Sequence, residues 1–404
     1  MIRDPQQFAA RLAQFRHWTL QHALPLEAQV EAEDAVPEAT VEQMRALGLF
    51  GLAIPTQFGG SGMTLEELCL SACELAYASM ALRARYSGNT GIASEGLVQD
   101  GTEAQKVRWL APMAAGTVTG CMALTEPDAG SDAANVQTMA EPEGHGEDAA
   151  YVLTGTKTYV TNAIHADLFT VFARTAPGHK AEGVTAFLIP RDAAGLLVGA
   201  PYPKMGLRGS PVSDLRLERV RVPRTAILGG EPMLGKGFAT ALKALNKQRI
   251  HLSAMAVAQS RRLLDEALQW CTTRRQFGQP IAEFQMVQAM LAECQVEHLA
   301  ARALMLDLAR AYDRGEDLAM EASACKYFAT EAVGRTADRV LQLFGGRGFL
   351  AEAGIERIYR DVRVLRLYEG TSQVHLAGIA KQMLKKARQS PPAAPAAPLP
   401  RATA

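Results

Sequence analysis

The sequence has no excess of charge of either sign, because its 42 lysines and arginines are balanced by 42 aspartates and glutamates. A neutral chain has no overall field to attract nucleic acid or an anionic membrane, so we expect neither as a partner. Long hydrophobic runs are also lacking, since charges interrupt the apolar stretches before the roughly 18 residues of a membrane span. The amino terminus contains Asp4 and no continuous apolar stretch, unlike a secretory signal. We therefore expect a cytoplasmic protein.

Cysteine is scarce and scattered. The six cysteines form no CxxC pair and no cluster with histidine, so no metal site is predicted. They are expected to be small buried hydrophobic residues without disulfides. The pair Gly345-Gly346 follows a helical pattern and is not enclosed in a βαβ unit, which argues against a Rossmann-type nicotinamide site. Alone, it could be a helix C-cap.

The 404 residues, 48% of them hydrophobic, suffice for two or three domains with packed cores. Helical spacing predicts an α-helical N-terminal domain over 1–118. Short runs rich in valine, threonine and aromatic residues predict a middle domain of antiparallel strands over 119–234, with Thr154-Gly155-Thr156 as a hairpin turn. Helical spacing returns over 235–388 and predicts a C-terminal domain with two long packed helices. The Pro/Ala-rich residues 389–404 predict a disordered tail.

Six motifs stand out along the chain. They are CMALTEPDAGSD (121–132), YVLTGTKTYVTN (151–162), KMGLR (204–208), RRQFG (274–278), QLFGGRGF (342–349) and YEGTSQ (368–373). Alone, the first could be a surface turn and Arg274 a solvated charge. In this order on a helical, β and helical frame, the motifs resemble those of the acyl-CoA dehydrogenase family, over about residues 5 to 388.

The resemblance implies an α+β multidomain fold, with an N-terminal α-helical domain, a middle antiparallel β domain and a C-terminal domain like a four-helix bundle. It also implies FAD as cofactor, an acyl-CoA thioester as substrate and electron-transfer flavoprotein as electron acceptor. A homo-oligomer is implied, with a tetramer as the family's usual state, although the sequence does not separate a dimer from a tetramer.

Site residues follow from the resemblance position by position. The flavin ring is expected against Met122, Leu124, Thr125, Gly130 and Ser131, with Tyr159 and Thr161 covering it. The diphosphate and adenosine of a neighbouring subunit's cofactor are expected at Arg274, Gln276, Phe277, Gln285, Gln342, Gly345 and Gly346, and further cofactor contacts at Thr371 and Gln373. The substrate is expected to contact Ser131, Arg249, Tyr368, Gly370 and Arg83.

Glu369 is the expected catalytic base. The resemblance implies that this glutamate removes the proton next to the thioester carbonyl while a hydride passes from the β carbon to flavin N5. A second branch of the family places its base where this chain has Gln248, which cannot accept a proton. A glutamate buried against an apolar ring has a raised pKa and is a better base at neutral pH.

Arg83 and Arg85 bear on the identity of the acyl group, which the sequence does not determine. The resemblance places them on the helix that lines the acyl pocket, and being two residues apart they lie about 200° apart around it, so at most one is expected to point inwards. Arginines are mostly exposed, and we expect solvated surface charges here. The alternative is an arginine that binds an acidic acyl group, as in glutaryl-CoA dehydrogenases or an acyl-CoA desulfinase, although that desulfinase lacks the Glu369 equivalent. An alternative function outside the enzymes is that of a non-enzymatic helical scaffold.

Overall fold

The structure, a computed structural model, describes residues 1–176 and 181–389. The N-terminal part contains seven helices within this described range: α1 Pro5–Trp18, α2 Glu27–Glu33, α3 Glu38–Ala46, α4 Leu65–Leu75, α5 Met80–Thr90, α6 Ile92–Asp100 and α7 Glu103–Ala115. Helix α4 shows why these helices form where they do. Thr64 and Glu67 make a capping box at its start, and its predicted apolar stripe is buried.

A sheet occupies the middle of the chain. Its strands are β1 Gly120–Ala123, β2 Met139–Glu143, β3 Ala150–Thr161, β4 Leu168–Arg174, β5 Val184–Pro190, β6 Leu196–Val198 and β7 Val212–Pro223. The order is β1-β4-β2-β3-β7-β6, with β5 paired to β4. The helical and β character predicted for these two parts is confirmed.

The sheet is mainly antiparallel, as predicted, with antiparallel pairs β2–β3, β3–β7, β4–β5 and β6–β7. It departs from the prediction in two places. Strand β1 pairs with β4 in parallel, which the long connection between them permits. Thr154-Gly155-Thr156 is not a hairpin turn but part of the continuous strand β3, where the pairing with β7 shifts register between Leu153 and Gly155. A Cβ at Gly155 would lie 2.5 Å from Thr138 Oγ1, so glycine here permits close approach of a neighbouring strand.

The C-terminal part is helical again, as predicted. Its elements are α8 Gly237–Thr273, the short pair β8 Arg275–Gln276 and β9 Gln279–Pro280, then α9 Gln285–Asp313, α10 Ala319–Phe344, α11 Ile355–Val362 and α12 Ser372–Gln389. The two long packed helices that were predicted from apolar spacing correspond to α9 and α10. Apart from Gln389, which ends α12, the tail predicted for 389–404 lies outside the described residues.

The hydrophobic cores join the three parts. One cluster combines Phe15 and Leu68 of the N-terminal helices with Met255 and Val333 of the C-terminal helices. The six cysteines are buried and free, as expected. No helix in the described ranges has the length and apolar character needed to cross a membrane. Nor do the described histidine, cysteine and acidic side chains form a group of three or more that could bind a metal ion.

Candidate active site

A cavity of about 660 Å³ opens where the three parts of the chain meet. Helix α5 and the N-terminal half of α8 form its walls, while β1, the following loop and the end of β3 form a third side. The turn between α11 and α12 completes it with Tyr368, Glu369 and Gly370. The motifs at 121–132, 151–162 and 368–373, which are far apart in sequence, therefore share one cavity.

The loop after β1 lines the cavity with five of the predicted flavin contacts: Met122, Leu124, Thr125, Gly130 and Ser131. Sequence reasoning missed the ion pair that holds this loop. Lys157, fully buried on β3, lies 2.6 Å from Glu126 and also donates to the Leu124 carbonyl at 3.3 Å. The available signal was Lys157 itself, a charged residue within a strand motif. A lysine that becomes buried there is rarely left unpaired, so it predicts an acidic partner.

Tyr159 and Thr161 at the end of β3 also line the cavity. Tyr159 adopts a left-handed backbone conformation (φ 57°) and leaves 66% of its surface exposed. A large aromatic side chain in this conformation is strained, so the surrounding structure must hold it there. Its exposed ring lies 5.8 Å from the Tyr202 ring and offers an aromatic face on which a flat ring can pack.

Glu369 reaches the cavity from a strained turn. Its own φ is 55° and that of Gly370 is 98°, so two successive residues are left-handed. One carboxylate oxygen, Oε2, is buried without a hydrogen-bond partner. Burial raises the pKa of Glu369 to about 7, against the opposing charges of Arg83, Lys326 and Arg249. A carboxylate with a free oxygen and a pKa near neutrality has the properties of a general base.

A half-buried arginine and a fully buried lysine hold the backbone of this turn. Arg249 donates from Nε to the Glu369 carbonyl at 3.3 Å, and Lys326 donates from Nζ to the Gly370 carbonyl at 2.7 Å. A Cβ at position 370 would lie 3.0 Å from His375 Nε2. The positive φ therefore favours glycine here, and any side chain would also press against the His375 ring. Gln248, at the alternative base position, lines the cavity as a buried amide.

The expectation that Arg83 and Arg85 are solvated was wrong, because both side chains are only 7% exposed. Arg83 lines the cavity, with Nη2 3.1 Å from His251 Nδ1. Arg85 lies away from the cavity, donates to Thr119 Oγ1 at 3.3 Å and covers the Phe50 ring. Helix α5 is covered on both sides, so a prediction based on the general exposure of arginine was wrong for both residues.

His251 keeps Arg83 at the cavity wall. Burial, with the charges of Arg83 and Lys247, holds the pKa of His251 well below its usual value, so the imidazole is neutral. Arg83 Nη2 lies 3.1 Å from Nδ1 and 3.4 Å from Nε2 of this ring, which also hydrogen-bonds the Leu68 backbone. No carboxylate among the described residues lies within 4 Å of the Arg83 guanidinium. The guanidinium therefore keeps donors available to a ligand.

The remaining predicted cofactor residues lie outside the cavity. Arg274, Gln276, Phe277, Gln285, Gln342, Gly345 and Gly346 are exposed on the surface, and Thr371 and Gln373 sit at the start of α12. Phe277 is 94% exposed. Two of the motifs nevertheless adjoin: Arg274 lies 5.8 Å from the Trp270 ring, which stacks on Phe344, the residue before Gly345.

Positive charge is concentrated at the cavity although the whole chain is neutral. The basic side chains that line it are Arg83, Lys204, Arg249, Arg360 and Arg363. The acidic side chains that line it are Asp132 and Glu369. Sequence reasoning did not identify Lys204, Arg360 and Arg363 as residues of the cavity wall, although each lies in or near a motif. An anionic ligand would be attracted locally.

Comparison with known proteins shows which family this chain belongs to. The chain matches the family models for the acyl-CoA dehydrogenase N-terminal domain over residues 6–117, the middle domain over 121–220 and the C-terminal domain over 235–384. It is 38% identical over 370 residues to a 3-(aryl)acrylate reductase of Clostridium sporogenes, covering 92% of this chain and 96% of the relative.

Two further relatives have a similar extent. A caffeyl-CoA reductase-Etf complex subunit of Acetobacterium woodii is 34% identical over 358 residues, covering 89% of this chain and 93% of the relative. The crystal structure of glutaryl-CoA dehydrogenase from Mycobacterium smegmatis superposes with a TM-score of 0.87 at 30% identity, covering 95% of this chain and 96% of that one. The chain belongs to the acyl-CoA dehydrogenase family, whose enzymes are oxidoreductases that act on a CH–CH group.

Proposed function

We propose that this chain is an FAD-dependent acyl-CoA dehydrogenase in which Glu369 removes the α proton of the thioester. The observation that carries the proposal is the Glu369 carboxylate, which lines the cavity with a buried, unpartnered oxygen and a pKa of about 7. A resting carboxylate in water would have hydrogen-bond partners and an ordinary pKa. The lost hydration is what a base needs to take a proton from a weak carbon acid near neutral pH.

FAD fits the residues of the β-domain side. The loop of Met122 to Ser131 offers backbone groups and Thr125, and the exposed Tyr159 ring offers an aromatic face. The chemistry that FAD would supply there is acceptance of the hydride from the β carbon. The chain's own residues bind and orient the acyl group between this side and Glu369, which takes the proton at a carboxylate oxygen.

The charge of the cavity supports a CoA thioester as substrate. Coenzyme A carries several phosphates, and Lys204, Arg249, Arg360 and Arg363 line the cavity. Ser131, Tyr368 and Gly370 also line the cavity and are proposed to contact the substrate. Electron-transfer flavoprotein is the proposed electron acceptor, in keeping with the Etf-complex relative.

An anaerobic titration tests the proposal. The purified protein should be yellow, and acyl-CoA thioesters added without oxygen should bleach its flavin band. Neutral acyl groups such as butyryl and hexanoyl, and acidic ones such as glutaryl, should be compared on the same sample. A colourless protein that neither binds added FAD nor responds to any thioester would contradict the proposal and favour a scaffold.

A second candidate substrate class is favoured by Arg83. A buried guanidinium at the cavity wall, with a neutral histidine as its hydrogen-bond partner, suits an acyl group that ends in a carboxylate or a similar anion. The enzyme would then be a dehydrogenase of the glutaryl-CoA type or a desulfinase. Glu369 favours the former, because the resembled desulfinase has no glutamate at that position.

The pH dependence of flavin bleaching is expected to follow Glu369. Burial raises its pKa to about 7, and only the ionised form accepts a proton, so the bleaching rate should fall as the pH is lowered through about 7. Stopped-flow measurements at limiting acyl-CoA between pH 5 and 9 provide the profile, because rates at limiting substrate report the pKa of the free protein. A rate that falls little between pH 8 and pH 5, as a glutamate with the ordinary pKa of 4.5 would give, would contradict the assignment.

Arg274→Ala is expected to lower flavin retention and to loosen the oligomer together, because Arg274 is proposed to bind the diphosphate of a neighbouring subunit's FAD. Flavin content and molecular mass should be measured on one sample. Arg275→Ala is the matched control, since that exposed neighbour donates to the Gly278 carbonyl of its own loop. A fully loaded Arg274→Ala protein of unchanged mass would remove Arg274 from the cofactor site.

A further inference from the structure

Lys326 is a buried cation with an unusual partner. It lies on α10, is fully buried and donates from Nζ to the Gly370 carbonyl at 2.7 Å. Within the described parts of the chain, no carboxylate lies within 4 Å of its ammonium group. Burying an unpaired ammonium costs free energy, and that cost would be avoided by an apolar residue of similar length. A role in the neighbouring site would explain the lysine.

The turn that Lys326 contacts is the one that carries Glu369. Glu369 adopts a left-handed conformation that is strained for a residue other than glycine, so the surroundings must hold it, and Gly370 follows with a positive φ that glycine tolerates. Each of the two carbonyls receives one cationic donor, Arg249 on Glu369 and Lys326 on Gly370. Immediately afterwards Thr371 accepts from the Val374 N–H and begins α12. Lys326, which does not itself line the cavity, thus ties the turn to α10.

The charges around the turn come from several elements. Arg83 on α5, Arg249 on α8 and Lys326 on α10 all act on the Glu369 carboxylate. His375 on α12 and Tyr368 face the same turn but are neutral, because burial lowers the pKa of His375 to about 4 and raises that of Tyr368. Burial lowers the pKa of Lys326 to about 8, so its ammonium group is charged at pH 7 and loses its charge above about pH 8. Glu331 acts on Lys326 more weakly than Glu369 does and is itself hydrogen-bonded by Arg366 and Ser372.

We propose that Lys326 is a positioning residue for the catalytic base: it fixes the Glu369-Gly370 turn so that the carboxylate faces the acyl group, and its charge favours the ionised form of Glu369. This inference rests on the proposed function, in which Glu369 is the base. The hydrogen bond supplies the geometry and the ammonium supplies the electrostatics. Removal of both should therefore change the rate and the pH profile, whereas loss of packing alone would leave the pH profile in place.

Lys326→Met tests the proposal with a side chain of similar length and no charge. We expect unchanged flavin content, a maximal bleaching rate lower by about 10- to 100-fold with little change in KM, and an acid limb moved upwards by about one pH unit. Thr330→Val is the matched control, since this buried residue lies one turn away on α10 and bonds only backbone carbonyls within its helix. It should keep the wild-type pH profile.

A second variant covers the case in which Lys326→Met does not fold. Lys326→Gln keeps a donor but removes the charge, so it should shift the acid limb upwards with a smaller loss of rate. A wild-type pH profile in a folded Lys326 variant would overturn the inference. Glu369→Gln, measured in parallel, separates the two ideas: an active Glu369→Gln refutes the base itself, whereas an inactive one beside an unaltered Lys326 profile refutes only the role of Lys326.

Discussion

Glu369→Gln is expected to retain flavin and to bind acyl-CoA but to lower the rate of substrate-driven flavin bleaching by about 10² to 10⁴, the usual contribution of a positioned base. Glutamine fills nearly the same volume and cannot accept the proton. The left-handed turn and its contacts with Arg249 and Lys326 involve backbone carbonyls, so the substitution leaves them in place. Stopped-flow absorbance of the oxidised flavin measures the rate.

Asp132→Asn is the matched control for this variant. Asp132 is the other acidic residue that lines the cavity, but its side chain is exposed and it lies in the loop after β1. It should keep most of the wild-type bleaching rate. Near-normal bleaching by Glu369→Gln would show that another group takes the α proton, and Gln248 would still be unable to do so.

Arg83→Ala is expected to change the choice of acyl group. If an anionic acyl end binds the Arg83 guanidinium, losing this buried, hydrogen-bonded pair costs about 2 to 5 kcal/mol, so kcat/KM for an acidic acyl-CoA should fall by roughly 10- to 1000-fold or more. A short neutral acyl-CoA should be affected little or favourably, because a desolvated charge no longer faces its hydrocarbon. The ratio of kcat/KM for glutaryl-CoA and butyryl-CoA is the quantity to compare.

Arg85→Ala provides a control of equal burial on the same helix. Arg85 packs on Phe50 and bonds Thr119 away from the cavity, so its loss should lower stability without altering the substrate ratio. A wild-type enzyme that prefers butyryl-CoA or hexanoyl-CoA to glutaryl-CoA would contradict the acidic-acyl proposal and leave the proposed dehydrogenase with a neutral acyl substrate.

The sequence predicted the order of helical and β parts because the spacing of apolar residues changes sharply at the boundaries. It failed at Gly155, where a glycine between threonines is typical of a turn but serves the close packing of two strands. It also failed at β1, whose parallel partner β4 lies far along the chain. Local sequence patterns carry no information on which strand packs against Gly155 or which strand pairs with β1.

Within the site, the motifs placed Glu369 and the loop after β1 in one cavity, since both belong to the family pattern. The burial of Arg83 could not be predicted, because it depends on His251 from α8 packing against α5. Lys326 was missed for the same reason. Its partner is a backbone carbonyl 44 residues away, and a lysine in a helical stripe gives no sign of that contact.

The exchange of the substrate's α proton with solvent tests the role of Glu369 most directly. Wild-type protein incubated anaerobically with acyl-CoA in D₂O should incorporate deuterium at the carbon next to the thioester carbonyl, as mass spectrometry of the recovered thioester would show. Glu369→Gln, with the same flavin content and bound ligand, should leave that carbon undeuterated over the same time. Deuterium incorporation by Glu369→Gln at the wild-type rate would contradict the assignment of Glu369 as the base.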